Sequence, residues 1–464
     1  VPLKTVRGGQ DPILLYARPA YGRPARNVVV GNTDLLSPIY YSTDPTLIAG
    51  LASTIPPLGY VAFDGAADVW ASTLTPGTSA VADVIPGGLS WAPSAVSIAE
   101  QIAIKGITVN VQSNGATVII LPGAGSDGTS AILAAIAAAS PGDTLLLLGQ
   151  CQVSSPIVIP PWITVIGYGT VINNSALSDN CTTLIASASF SGGSYPVPAV
   201  ILMIDQITGG YSQISAGQNF QHINVDCSLA PSGTVSWASF GQVYGVGITD
   251  CCGQFAPATG LLTQFDAVHG QADGWRINGF MLARCGRNVD LNIADLIAND
   301  IHAIGASVDD NFFIRNAVNS HFFGARAGNS ARYGWNFSVN QAAVGSWCGL
   351  HGCSSDQSGE YGLFINYGST GGMALCIDGY CSDLDNATGT QQASALRIAS
   401  APQAVVISSI MQVSAAAACK YGLSYSNAAN LAIGAGVVQG SVAGLIAGSG
   451  NGTVEISPAL IQLP

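Results

Sequence analysis

The fold class that this 464-residue sequence predicts is all-β: a right-handed parallel β-helix, preceded by a small N-terminal β-domain and a short helix. Three observations carry that expectation. Short apolar segments recur as Tyr333-Gly-Trp-Asn-Phe337, Tyr361-Gly-Leu-Phe-Ile365, Ser394-Ala-Leu-Arg-Ile398 and Tyr421-Gly-Leu-Ser-Tyr425, at steps of 28, 33 and 27 residues. Cys348 and Cys376, and likewise Cys353 and Cys381, keep a step of 28 over the same stretch, which predicts two stacked coils in register. The segments are also β-branched or apolar and separated by Gly, Asn and Asp turns, as in a solenoid whose inward side chains stack coil on coil. The signatures of leucine-rich and helical repeats are missing.

Taken in order, residues 1–30 read as an extended arm made basic by Lys4, Arg7, Arg18, Arg23 and Arg26, either solvated or docked on an acidic partner. Short strands are expected from the end of that arm onward, at Val28–Val30, Pro38–Tyr41, Tyr60–Phe63 and Asp68–Ala71 with turn chemistry at Asp64-Gly65, and residues 31–95 read as a small antiparallel β attachment domain. Residues 96–112 read as a helical linker, with Ile98 and Ile102 at helical spacing. The β-helix is expected over 113–464. It opens on a strand at 116–121, followed by a helix at 130–139 (SAILAAIAAA) behind cap candidates Ser126 to Thr129. Pro141-Gly142-Asp143 stops that helix, and Thr144–Leu148 is an apolar strand. Such a helix covers the apolar end that a parallel solenoid otherwise exposes. Further coils are expected at Phe220–Asp226, Tyr244–Asp250, Leu431–Gly434, Leu445–Gly448 and Val454–Ser457.

Composition narrows the function. Only 9% of residues are charged, against roughly 25% in ordinary soluble domains. A 48% hydrophobic content keeps the chain out of the disordered class. Its net charge is −12, and no Lys or Arg falls between Lys105 and Arg276, so nucleic-acid binding is not expected. No apolar run approaches the length of about 20 that spans a bilayer, and no membrane insertion is expected. Val1-Pro2-Leu3-Lys4 lacks the apolar core of a secretory signal, which predicts exit from its cell by another route. The 11 cysteines, all beyond residue 150, read as buried thiols rather than a disulfide scaffold. No nucleotide, redox or metal motif appears, and no cofactor is expected.

The order strand, helix, Pro-Gly-Asp, strand, then Pro160-Pro161-Trp162-Ile163-Thr-Val-Ile166-Gly167, resembles the start of the pectate-lyase-like β-helix superfamily, seen in phage tailspikes. Asp127, Thr129, Ala131, Ile132, Ala134, Ala135 and Ile136 take the pattern of that superfamily's capping helix. Ile55-Pro-Pro-Leu-Gly-Tyr-Val-Ala-Phe-Asp64-Gly, Val69-Trp-Ala-Ser72 and Ile98-Ala-Glu-Gln-Ile102 are similar to particle-attachment segments of minor tail proteins from phages of actinobacteria. Together these resemblances imply a virion tailspike or tail fibre, outside cells when functional. Its N-terminal region would dock on other tail or baseplate proteins, and its β-helix would meet a host cell-surface glycan. They also imply a homotrimer, an assembly that buries side surface and solenoid edges.

Two sets of residues are candidates for sugar chemistry. Carboxylates offset by one coil approach the separations that glycan-cleaving pairs need, about 5 Å for retention and about 6.5–9.5 Å for inversion. Asp356 and Asp383, 27 residues apart, fit that offset, with Glu360 and Asp385 nearby. The same four residues also read as loop-tip acids that solvate a low-charge surface. Asp309-Asp310 and Asp290, Asp295 and Asp300 are weaker candidates. Trp347, Tyr361 and Tyr367 are the candidate sugar-stacking platform. The arginines between Arg276 and Arg332 lack a lyase motif and read as solvated salt links. Cys348, His351 and Cys353 resemble a metal cluster only superficially, because ligands stacked along a wall form a line rather than a tetrahedron. Few acids and no dense aromatic groove favour a non-enzymatic adhesin over a glycoside hydrolase; a purely structural head or baseplate spike is the third reading.

Overall fold

A computed structural model of the chain describes, before residue 116, only the strand segments 13–15, 39–41, 61–63, 69–73, 84–85, 89–93 and 107–111. From 116 to 463 it describes all but the short stretches 170–180, 205–214, 266–269, 339–346, 368–372, 384–393, 414–418, 440, 449–452 and 459. The described chain divides into two units, 1–152 and 153–464.

The first unit holds a six-stranded sheet. Ile13–Leu15 pairs antiparallel with Ile39–Tyr41, so a strand lies within the stretch expected to be an arm. Ile39–Tyr41 runs parallel to Val61–Phe63, and the remaining pairings are antiparallel, which makes the sheet mixed rather than purely antiparallel. The expected strand at Val28–Val30 and the expected helical turns at Ser97–Ile104 lie outside the described residues. Ile107–Val111, placed in the helical linker by sequence, is instead a strand antiparallel to Ala116–Ile120. Its β-branched alternation (Ile107, Val109, Val111) suits a pleated surface better than a helix.

The alanine-rich helix spans Thr129–Ala138 and packs against Ala116–Ile120 and Ile107–Val111. It buries Thr129, Ala131, Ile132, Ala135 and Ile136, the three-and-four spacing of one helical face. Gly128 at the N-cap has no side chain to offer, and Asp127 Oδ1 instead accepts from the Thr129 amide (2.8 Å) and hydroxyl. Beside the helix, Thr144–Leu148 runs parallel to Ala116–Ile120 with every residue in register.

The second unit is the parallel β-helix, with the right hand that parallel crossovers adopt. Its register can be followed residue by residue. One interior column runs from Ile157 through Ile201, Trp237, Leu261, Val289, Phe312, Trp335, Leu363 and Leu396 to Leu423. Each member is buried and sits on the one before, so a single line of side chains carries much of the core. Three large rings, Trp237, Phe312 and Trp335, stand among aliphatics along it; Phe312 and Trp335 stack at 3.8 Å with planes 2° apart. Tyr333 pairs with Tyr361, and Ser394 with Tyr421, as the recurrent segments predict.

Corners set the shape of each coil. Left-handed residues recur every five positions: Gly245, Asp250 and Phe255 in one coil, Gly274, Gly279 and Arg284 in the next, then Asp295, Asp300 and Gly305. At the first corner each amide donates to the coil above, from Gly217 to Tyr244 O, Gly245 to Asp273 O, Gly274 to Ala294 O and Asp295 to Val318 O. The corner therefore continues the hydrogen-bond ladder while it redirects the chain. Glycine is the low-cost carrier of that conformation, with Asp and Asn the usual substitutes. Inside a later turn, Asn288 Nδ2 donates to Asn311 Oδ1 (2.6 Å) and Asn311 Nδ2 to Gly328 O (2.7 Å), which satisfies a buried polar column.

The cysteines are free thiols among the described residues, and all but Cys376 and Cys381 are buried. Burial pushes the Cys151, Cys251 and Cys285 thiols up to about 12, the behaviour of inert wall residues. The expected stacking of Cys348 on Cys376 and of Cys353 on Cys381 is not what the register shows. Cys348 pairs with Leu375, Gly349 with Cys376, and Ser354 with Cys381. The local step is 27, so a cysteine 28 residues on points to the opposite face of the wall.

Candidate functional site

The acids singled out by spacing are only partly brought together. Asp356 ends the strand Ser354–Asp356, exposed beside the left-handed Gln357, and lies in register with Asp383 on the next coil. The side chain of Asp383 and all of Asp385 lie outside the described residues. Glu360 is exposed, and its amide donates to Arg332 O (2.7 Å). Burial, and then Glu360, push the Tyr333 phenol above its ordinary value. Tyr361 stacks on Tyr333 (5.5 Å) and Phe364 (5.5 Å) in a half-exposed ring ladder. Tyr367 is not on that surface. It is 2% exposed, because it turns inward at the end of its strand, and burial holds its phenol well above the usual value.

A denser set lies on the same sheet, among residues expected to be solvated salt links. Asp290 and Asp310 are buried rather than at loop tips. Arg315 grips Asp290 through Nε and Nη2 (2.6 and 2.9 Å), and Arg287 Nη1 reaches the same carboxylate at 2.6 Å. Arg287 also pairs with Asp309, which Arg332 shares at 2.7 Å. Arg332 meets Asp310 through Nε and Nη2 (3.0 and 2.9 Å), and Asn336 Nδ2 and the Tyr333 amide complete that carboxylate's shell. Phe313 lies against both the Arg287 and Arg315 guanidiniums, at 4.2 and 4.7 Å from its ring centre. Asp290 aligns with Phe313, Phe313 with Asn336, Asn336 with Phe364 and Phe364 with Arg397, so successive coils place these groups in one outward column. A cleft of about 540 Å³ opens beside its lower end, lined by Thr259, Leu262, Thr263, Gln264, Phe265, Arg287, Asp290, Asn292, Arg315 and Ser338.

Trp347 belongs to a different wall, built from Ser320–Phe323, Trp347–His351 and Ala374–Asp378. There four rings form an outward platform. His321 stands edge-on to Trp347 (4.5 Å), while His321, Phe323 and His351 stack with their planes nearly parallel, ring centres 4.8 to 5.6 Å apart. Trp347 is 41% and Phe323 38% exposed. His321 Nδ1 and His351 Nε2 share a hydrogen bond at 3.0 Å. That approach needs Gly349 between them, since a Cβ there would lie 2.5 Å from His351 Nε2. Asp378 sits one coil above His351, and the Ser408 and Ser409 hydroxyls (2.6 and 3.1 Å) hold it below the usual carboxylate range. Rigid strands thus present exposed aromatic rings, Trp347 and Phe323 foremost, beside hydroxyl and carboxylate acceptors, the pairing of apolar and polar groups that a sugar requires.

Burial, and then His351, hold the His321 imidazole below its ordinary value. The unfolded chain therefore takes up the proton first. The stability from this packing is present above a pH of about 6.5 and is lost as the pH falls below that value toward the lowered folded-state one. A thermal midpoint that declines between pH 7.5 and 5.5, with a shallower decline in His321→Gln, is the expected result; an unchanged slope in the variant would rule out this assignment.

Among the described residues, no group of three or more His, Cys, Asp or Glu is placed to hold a metal ion. No described helix is long and apolar enough to cross a membrane.

No family model matches the chain, and no curated protein matches it. Solved structures do. The Dettilon tailspike protein gp208 is 12% identical, with 73% of this chain and 68% of that one covered, at a TM-score of 0.40. The gp42 tailspike of Acinetobacter phage AS12 is 12% identical over 92% of this chain and 76% of its own, also at 0.40. DFA-IIIase from Arthrobacter chlorophenolicus A6, in complex with GF2, is 11% identical over 72% and 85%, at 0.38. At these identities and scores the likeness concerns chain path alone.

Proposed function

We propose that this chain is a receptor-binding spike or fibre of a phage tail, whose β-helix holds a host surface glycan against its side wall. The exposed platform of Trp347, Phe323, His321 and His351 carries this reading. The sequence resemblances described above supply the virion setting, attachment through the N-terminal region and the homotrimer. Trp347→Ala is expected to weaken binding of host-envelope polysaccharide by about 30-fold, the loss typical of an aromatic hot spot, without a change in thermal midpoint. Equal binding by Trp347→Ala and wild type, in titration of the full chain, would remove the platform from the account.

A depolymerase is the second reading, favoured by one observation: Asp356 and Asp383 occupy the same register position on adjacent coils. Adjacent strands lie about 4.8 Å apart, within reach of a retaining carboxylate pair. New reducing ends from envelope polysaccharide, abolished by Asp356→Asn or Asp383→Asn, would establish cleavage over simple adhesion.

A further inference from the structure

We propose that the cleft at Arg287, Asp290 and Arg315 is a subsite for an acidic sugar, one that carries a free carboxylate. The inference rests on the glycan-reading function proposed above and names a chemical class for part of its ligand.

Cations are scarce in this chain and are concentrated here. Six of the 14 Lys and Arg residues lie between Arg276 and Arg332, after a stretch with none. Two of them line the cleft. The acid between them, Asp290, has a side chain only 3% exposed, whereas that of Arg315 is 46% exposed. Solvent in the cleft therefore meets guanidinium and not carboxylate. Arg315 spends Nε and one Nη2 hydrogen on Asp290, which leaves Nη1 without a partner among the described residues. The Arg287 Nε is buried and likewise unpartnered. Both planes are braced against Phe313 and by Asp290, so the open edge of Arg315 is fixed before any ligand arrives. A rigid guanidinium with an open edge is the group best matched to a planar carboxylate.

The rest of the lining suits a sugar body. Thr259, Thr263, Gln264, Asn292 and Ser338 offer hydroxyl and amide groups, and Leu262 and Phe265 offer apolar surface. A volume of about 540 Å³ lies in the range of small-molecule sites. The three arginines of this network are matched by Asp290, Asp309 and Asp310 in a chain of net charge −12, so what the cleft offers is the open edge of Arg315 rather than a broad positive field, and this favours a sugar with spaced acidic groups over a dense polyanion.

The test is isothermal titration of the full chain with three acidic probes, namely tetragalacturonate, a hyaluronan tetrasaccharide and sialyllactose, each beside its methyl ester. At least one acid is expected to bind, with its ester weaker by 10-fold or more. Arg315→Ala is expected to lose roughly 10- to 100-fold in affinity for that acid. Asp290→Asn, which removes the competing carboxylate, is expected to bind the acid more tightly, a gain that a merely structural role for Arg315 would not produce. If Arg315→Ala unfolds, Arg315→Lys keeps the charge but loses the fork, and several-fold weaker binding is expected. Esters that bind as well as acids, no binding of any acid, or unchanged affinity in a folded Arg315 variant would each overturn the inference. Envelope polysaccharide that still binds through Trp347 would then show that only the subsite fails; no polysaccharide binding at all would remove the broader function as well.

Discussion

Trp335→Ala is expected to destabilise the β-helix by about 3–5 kcal/mol, the largest effect foreseen for a single side chain in this protein. Trp335 is fully buried, stacked on Phe312 at 3.8 Å and edge-on to Phe322 at 5.5 Å. Its indole N–H donates to Ser354 O (3.0 Å), so truncation also removes a buried hydrogen bond. In a globular core, neighbours relax partly into a void. Here Phe312 and Leu363 are pinned one strand spacing away on either side by their own ladders, and little collapse is available. Trp335→Phe keeps the stack and loses the hydrogen bond, and a smaller cost is expected. Denaturant unfolding followed by far-UV circular dichroism measures both. An alanine variant within about 1 kcal/mol of wild type would mean that this column does not carry the core.

The coil repeat was legible in the sequence because inward positions tolerate only a narrow set of shapes. Tyr333 and Tyr361 announce it by identity, and Ser394 and Tyr421 by the Leu two residues on in each case. Register at single-residue precision was not legible from cysteines. Cys348 and Cys376 share a step with Tyr333 and Tyr361, yet the turn between them is one residue shorter, and period-two strands convert that difference into opposite faces. The step of 27 did align Asp356 with Asp383. Corner residues were harder to read, since the left-handed position is held in turn by Gly, Asp, Phe, Arg and Asn, and only the five-residue interval unites them.

The candidate sites were legible in proportion to how far a residue's type betrays its exposure. Trp347 is a candidate sugar-stacking residue by its type alone, but its partners His321 and Phe323 come from the coil below and carry no local motif. Counting back 28 residues from Gly349, the one residue that leaves room for an imidazole, would have reached His321. Tyr367 misled because a tyrosine that ends a strand can face either way. Asp290 and Arg315, like Asp310 and Arg332, are joined across coils shorter than the 28-residue step. Sequence therefore showed clustered arginines and aspartates but not which acids were buried, and burial is what separates a fixed charge network from solvated salt links.

That distinction makes Arg332→Ala the second large prediction. Asp310 is fully buried, and Arg332 supplies its only charged partner among the described residues, through two hydrogen bonds. Removal of the guanidinium leaves the carboxylate with Asn336 Nδ2 and the Tyr333 amide alone. A buried charge stripped of its counter-ion costs about 3–5 kcal/mol, and because Arg332 is itself 38% exposed, water offsets part of that loss. A cost of about 2–4 kcal/mol is expected. Asp309 also loses a partner but keeps Arg287. Neutralisation of the orphaned acid should restore much of the loss, since an amide in its place still accepts from Asn336 and carries no charge to desolvate. Arg332→Ala/Asp310→Asn is therefore expected to be more stable than Arg332→Ala alone, a coupling of the sign that a double-mutant cycle detects. If the double variant is no more stable than the single one, the carboxylate is not the source of the penalty, and the network would owe its stability to packing of Arg332 over Tyr333 (4.5 Å) instead.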